Sequence, residues 1–187
     1  MNISPEEAQQ ALASIQQTKE RLRKGYGYYG YYGIIWGFVW LVGFLASQFL
    51  TSRPAVIGWT WGILVLAGWI SSAWLGMHQA TYVRSVIGAR LGLFFLALFA
   101  FAILWFIILP PLSGKLYILL FVTLIFFGGV VSGVFSRSVL AVISCVSLTV
   151  ISLIGYYLVL GYFYLWMAIF GGLSMFCFGL YVRLRWR

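Results

Sequence analysis

The chain has 187 residues, of which 63% are apolar and 8% charged, with a net charge of +9 and a mean hydropathy of +1.00. A soluble domain carries about 25% charged residues, so the composition excludes one and describes an all-α polytopic membrane protein. There is no Asp, and the only acids are Glu6, Glu7 and Glu20, which leaves no carboxylate at membrane depth for proton-coupled transport, paired-carboxylate hydrolysis or an oxygen-rich Mg²⁺ or Ca²⁺ site.

Residues 1–25 form the polar leader. Ser4-Pro5-Glu6-Glu7 predicts a helix start, with Ser4 as N-cap, Pro5 in the first helical position and Glu7 closing a capping box. Lys19, Arg21, Arg23 and Lys24 lie at the negative end of the helix dipole, and Gly25 is placed to stop the helix. Ala8, Ala11, Leu12, Ile15 and Leu22 make a thin apolar stripe, too weak for a core. It suits three roles: lying on the membrane surface, pairing with a copy of itself, or docking a protein partner. The first 24 residues lack the apolar centre of a cleavable signal peptide, so the first span is expected to serve as the insertion signal.

The membrane domain is expected over residues 26–182. It opens on a Gly- and Tyr-rich run in which Gly30, Gly33 and Gly37 share one narrow helical face. Small residues there allow a neighbouring backbone to approach closely, the usual packing device where lipid removes the hydrophobic incentive. Tyr28, Tyr31 and Tyr32 fall on the other side and suit the headgroup layer. An aromatic ligand site using Tyr31 and Trp36, or a hinge at the glycines, is the alternative for this run.

Six spans of the length a bilayer requires follow at about 30–50, 56–77, 91–109, 116–135, 139–160 and 162–182. Arg53-Pro54, Pro110-Pro111 and Ser136-Arg137-Ser138 separate them, and a loop holds His78, Thr81, Arg84 and Arg90. Residues 138–182 carry no charge and are too long for one span, so Gly161 is expected to mark a tight turn. Residues 183–187 are a basic tail with Arg183, Arg185 and Arg187. With the N-terminus inside, ten of the twelve Lys and Arg residues fall on the cytoplasmic side, leaving Arg53 and Lys115 outside. Both termini are then cytoplasmic. Topology thus accounts for the positive charge, and nucleic acid is not an expected partner.

Gly68 and Gly76, Gly128 and Ser136, and Gly171 and Gly179 are three pairs of small residues at one spacing in the even spans. They suggest three stacked antiparallel hairpins. Ser144, Ser147 and Ser152 give the fifth span its most polar side; they serve as helix-packing glue or line a small-molecule cavity. Cys145 and Cys177 each lie sixteen residues from Gly161, which puts them at similar depth. His78 stands alone, and no phosphate loop, dinucleotide fingerprint or zinc motif is present, so neither cofactor nor metal is expected.

Six spans in so short a chain is similar in size to the substrate-binding subunits of energy-coupling-factor vitamin transporters, and Gly30, Gly33 and Gly37 loosely echo their small-residue docking motif. The leading helix departs from their pattern. A capped helix followed by Trp- and Gly-rich spans resembles bacterial multi-pass proteins, which implies the plasma (inner) membrane. The expected function is a non-enzymatic accessory or regulatory subunit. Leu12, Ile15, Leu22, Arg183, Arg185 and Arg187 would contact a protein partner or lipid. The alternative is a binding or permease subunit for an uncharged or lipophilic small molecule.

Overall fold

The computed structural model describes residues 5–80, 86–109 and 113–185. Ser4, Thr81, Arg84, Pro110, Pro111 and Arg187 lie outside the described residues, as do the side chains of Glu7, Ile15, Leu22 and Tyr28. All regular structure among the described residues is helical.

Helix α1 runs unbroken from Pro5 to Phe49. The stop expected at Gly25 is absent, and leader and first span are one rod. The physical reason is that a glycine inside a helix costs only about 1 kcal/mol relative to alanine, whereas a proline breaks it. The prolines on either side of this stretch are Pro5 and Pro54, and α2 begins at the latter. The apolar stretch of α1 is Gly30–Phe49, so more than half of the helix precedes it.

Helix α2 covers Pro54–Ala80, α3 Val86–Ile108, α4 Gly114–Phe135 and α5 Val139–Leu158. Ser113 and Ser138 cap α4 and α5 by accepting bonds from the Leu116 and Ala141 amides, each 3.4 Å long. A 3₁₀ turn at Leu160–Tyr162 contains Gly161. The last span then proceeds as α6 (Phe163–Met167), a π-helical turn (Ala168–Leu173) and α7 (Ser174–Arg185). The widened turn holds the adjacent glycines Gly171 and Gly172.

Among the described residues, five helical segments are long and apolar enough to cross a membrane: Gly30–Phe49, Pro54–His78, Gly114–Phe135, Val139–Leu158 and Leu160–Arg185. The third expected span falls on α3, whose run from Leu91 to Ile108 carries no charge. The chain is therefore a helical protein with the dimensions of a multi-pass membrane protein. Large apolar side chains such as Trp59, Ile63, Ile107 and Leu158 are exposed, an outer surface suited to lipid rather than water.

The core joins α1, α4 and the start of the last span through Val39, Trp40, Phe44, Leu119, Val122, Phe126, Phe163, Met167 and Ala168. The most extensive pairings are α1 with the last span and α4 with α5, whereas α3 meets α4 lightly. Neither of these two largest pairings lies within one of the three expected hairpins. Nor do the three small-residue pairs have equivalent surroundings. Gly68 faces Val39 and Trp36, Gly128 faces Phe95 and Leu98, and Gly179 lies against the backbone of Ile34 and Gly30.

The α4–α5 turn is built tightly. Ser138 N–H donates to the Gly133 carbonyl at 2.8 Å and Arg137 N–H to the Val134 carbonyl at 3.1 Å, a Schellman motif. Arg137 holds the left-handed position at φ 54°, where glycine is usual.

Candidate functional site

One heptad-like stripe of α1, continued by Thr51 just past the helix end, organises the interior: Gly30, Gly33, Gly37, Trp40, Phe44, Ser47 and Thr51, spaced alternately three and four residues apart. Its glycine half lies on α7. A β-carbon at Gly30 would stand 2.8 Å from the Gly179 carbonyl oxygen and 2.9 Å from the Arg183 nitrogen. At Gly33 it would stand 2.9 Å from Gly179 Cα, and at Gly37 it would collide with the Phe176 backbone. From the other side, Gly172 and Gly179 leave no room for a β-carbon against Leu41 and Ile34. The two backbones touch, antiparallel, along this seam.

The second half of the stripe is bulky, and the helices part. Trp40, Phe44, Ser47 and Thr51 form one wall of a cavity of about 490 Å³. Ile57 and Trp61 of α2 form another. Gly114, Tyr117, Ile118, Phe121 and Val122 of α4 face them, and Tyr164 of α6 completes the lining. Trp40 packs edge-on to Phe44 with centroids 5.8 Å apart, and Phe44 to Trp61 at 5.1 Å. These rings hold the walls in place. Trp61 Nε1 donates to Ser47 Oγ at 2.9 Å, while Ser47 Oγ donates to the Gly43 carbonyl at 2.9 Å. The buried hydroxyl is thereby satisfied within the wall.

At the helix-end mouth formed by Thr51, Gly114 and Tyr164, Lys115 stands outside the lining and closes α4 onto the last span. Its Nζ donates to the Leu160 carbonyl at 2.6 Å and stands 5.9 Å from the Tyr164 ring centroid. Gln48 Oε1 accepts from the Leu165 amide at 3.3 Å, tying α1 to the same turn. Behind the cavity, the π-helical turn presents Gly171 to the Trp40 ring.

The residues expected around a ligand do not line this cavity. Ser144 and Ser147 are exposed on α5. Ser152 is buried, but its hydroxyl donates to the Leu148 carbonyl at 2.8 Å on its own helix. Serines in apolar helices satisfy themselves in this way, so a row of them need not mark the interior. Tyr31 stacks under the Arg183 guanidinium at 4.6 Å, and Trp36 Nε1 donates to Ser72 Oγ at 3.1 Å. Both secure helix contacts at the far end of α1's apolar stretch.

Of the residues expected to meet a partner or lipid, Leu12 is exposed, Arg183 is engaged with Tyr31, and Arg185 bonds Tyr181 Oη. His78 Nδ1 lies 3.0 Å from the Trp74 carbonyl, with its ring over Trp74. Cys145 is half-buried with its sulfur turned to Gly129 of α4, and Cys177 is exposed on α7. Both thiols are free. Among the described residues no group of three His, Cys, Asp or Glu gathers.

The cavity residues Phe44, Ser47, Trp61, Tyr117 and Tyr164 were not singled out from the sequence. The stripe spacing through Trp40, Phe44, Ser47 and Thr51 is the signal that could have found them. Comparison with protein-family models, with curated proteins and with solved structures finds no match.

Proposed function

We propose that this chain is a non-enzymatic multi-pass protein of a bacterial plasma membrane that holds a small uncharged or lipophilic molecule between its helices. The observation that carries this reading is the aromatic cavity of about 490 Å³ between α1, α2, α4 and α6. It has the size and the apolar lining of a small-molecule site, with few polar groups to fix an orientation. No acid follows Glu20 in the chain, which favours binding over acid–base chemistry. In this reading α3 is a sixth span and both termini are cytoplasmic, supported by the ten basic residues expected on that side. The cavity mouth then faces away from the cytoplasm.

A second reading is supported by the long leading part of α1. An accessory or regulatory subunit would use this rod, with Leu12 exposed on it, to engage a cytoplasmic partner. The two readings are compatible, because α1 both carries the rod and walls the cavity.

Gentle purification followed by native mass spectrometry tests the binding reading. Wild-type protein should retain a small molecule that Ile118→Trp, which fills the cavity from α4, excludes. Equal retention by both proteins, or none by the wild type, would refute a cavity ligand. Deleting residues 1–24 should abolish partner capture and leave insertion intact; retained capture would refute the accessory role.

A further inference from the structure

We infer that the cavity takes a single-chain amphiphile with an anionic head, the chain lying along α1 and the head at Lys115. This rests on the binding reading above and names its ligand class. From Trp40 to Ser47 the cavity follows seven residues of α1, about 10 Å at 1.5 Å per residue, and it runs on to Thr51 past the helix end. Its volume of about 490 Å³ is that of one small-molecule site, and its walls on α1, α2 and α4 make it a slot between helices. That volume suits one hydrocarbon chain rather than the pair of a phospholipid.

Polarity rises toward one end only. The deep wall is Trp40 and Phe44, and the Ser47 hydroxyl between them and the mouth is already committed to Gly43 and Trp61. A ligand with polar groups along its whole length would leave them unpaired there. At the mouth, the hydroxyls of Thr51 and Tyr164 make no hydrogen bond among the described residues. Lys115 gives one bond to the Leu160 carbonyl and retains further N–H donors. The chain offers no carboxylate after Glu20 to neutralise this ammonium. A carboxylate or phosphate head therefore gains a charge-assisted partner at the mouth, and a cationic head is repelled.

The test uses full-length protein in phosphatidylcholine nanodiscs, with palmitate, hexadecanol and phosphatidylglycerol as probes and native mass spectrometry as readout. Palmitate should bind saturably at one per chain. Ile118→Trp and Ile57→Trp, which fill the slot from opposite walls, should each remove it. Lys115→Gln should weaken palmitate about tenfold, the scale of one charge-assisted contact, and leave hexadecanol unchanged. Equal binding of hexadecanol and palmitate, indifferent to Lys115→Gln, overturns the anionic head while the cavity reading stands. Preference for phosphatidylglycerol over palmitate overturns the single chain. Binding that neither tryptophan variant disturbs overturns both this inference and the cavity reading.

Discussion

The two halves of the α1 stripe make unlike contacts out of one geometry. Between Gly30 and Gly37 the seam has no side chains, and the α7 backbone fills the space they leave. Between Trp40 and Thr51 the same spacing carries two large rings, a small hydroxyl and a threonine, and the neighbouring helices stand off around a slot. Residue volume, at constant helical period, decides where the bundle is solid and where it is hollow. In lipid this matters more than in water, because close van der Waals packing is what holds helices together there.

The glycine half should be the easier to break. Gly37→Leu or Gly172→Leu drives a side chain into the facing backbone and should cost roughly 3 kcal/mol or more, seen as a large fall in the thermal midpoint in detergent. Gly62 has open space around it, so Gly62→Leu should stay within about 0.5 kcal/mol of wild type. Similar losses at Gly37 and Gly62 would mean that backbone contact does not hold the seam.

A smaller effect is expected in the aromatic half. Ser47→Ala leaves the Trp61 indole N–H without its partner in the slot wall, at a cost of about 1–2 kcal/mol. Trp61→Phe combined with Ser47→Ala should recover part of that loss, because donor and acceptor are then removed together. Additive losses in this double-mutant cycle would show that the bond does not brace the wall.

Arg137→Gly sharpens the comparison from the other side. The seam glycines provide room, whereas Arg137 occupies a backbone conformation that favours glycine. The substitution should stabilise the α4–α5 turn by up to about 1 kcal/mol in reversible unfolding. A destabilisation would show that the arginine side chain outweighs the backbone strain.

The thiols give the smallest readout. Cys177 should label readily and Cys145 slowly, because the latter is turned into the α4–α5 contact. A short bifunctional thiol reagent should then fail to join them in the folded state, as read by peptide mapping. Efficient joining would contradict the placement of Cys145 against Gly129.

Several features were legible in the residues alone. Composition declares a helical membrane protein, because in hydrocarbon a backbone must satisfy its hydrogen bonds within itself. Pro54, Ser113, Ser138 and Gly161 punctuate the chain where helices start or turn. Gly25 misleads, since a glycine ends a helix only when the surrounding chain also turns, and here α1 continues through it.

The site was much less legible. The spacing of Gly30, Gly33 and Gly37 determines that they share a face, and only the tertiary structure decided that α7 covers it. The serines of α5 stand out in the sequence because they are polar, yet Ser152 spends its hydroxyl on its own helix. The slot was hidden because Trp40, Phe44 and Trp61 look like every other aromatic in these spans. In a soluble helix the contrast between apolar and polar faces points to the core. In apolar spans that contrast vanishes, since lipid and protein interior accept the same side chains. Sequence by itself therefore determined the class, the turns and the faces. Which faces meet, and where they fail to close, was decided by the shapes of side chains across helices far apart in the chain.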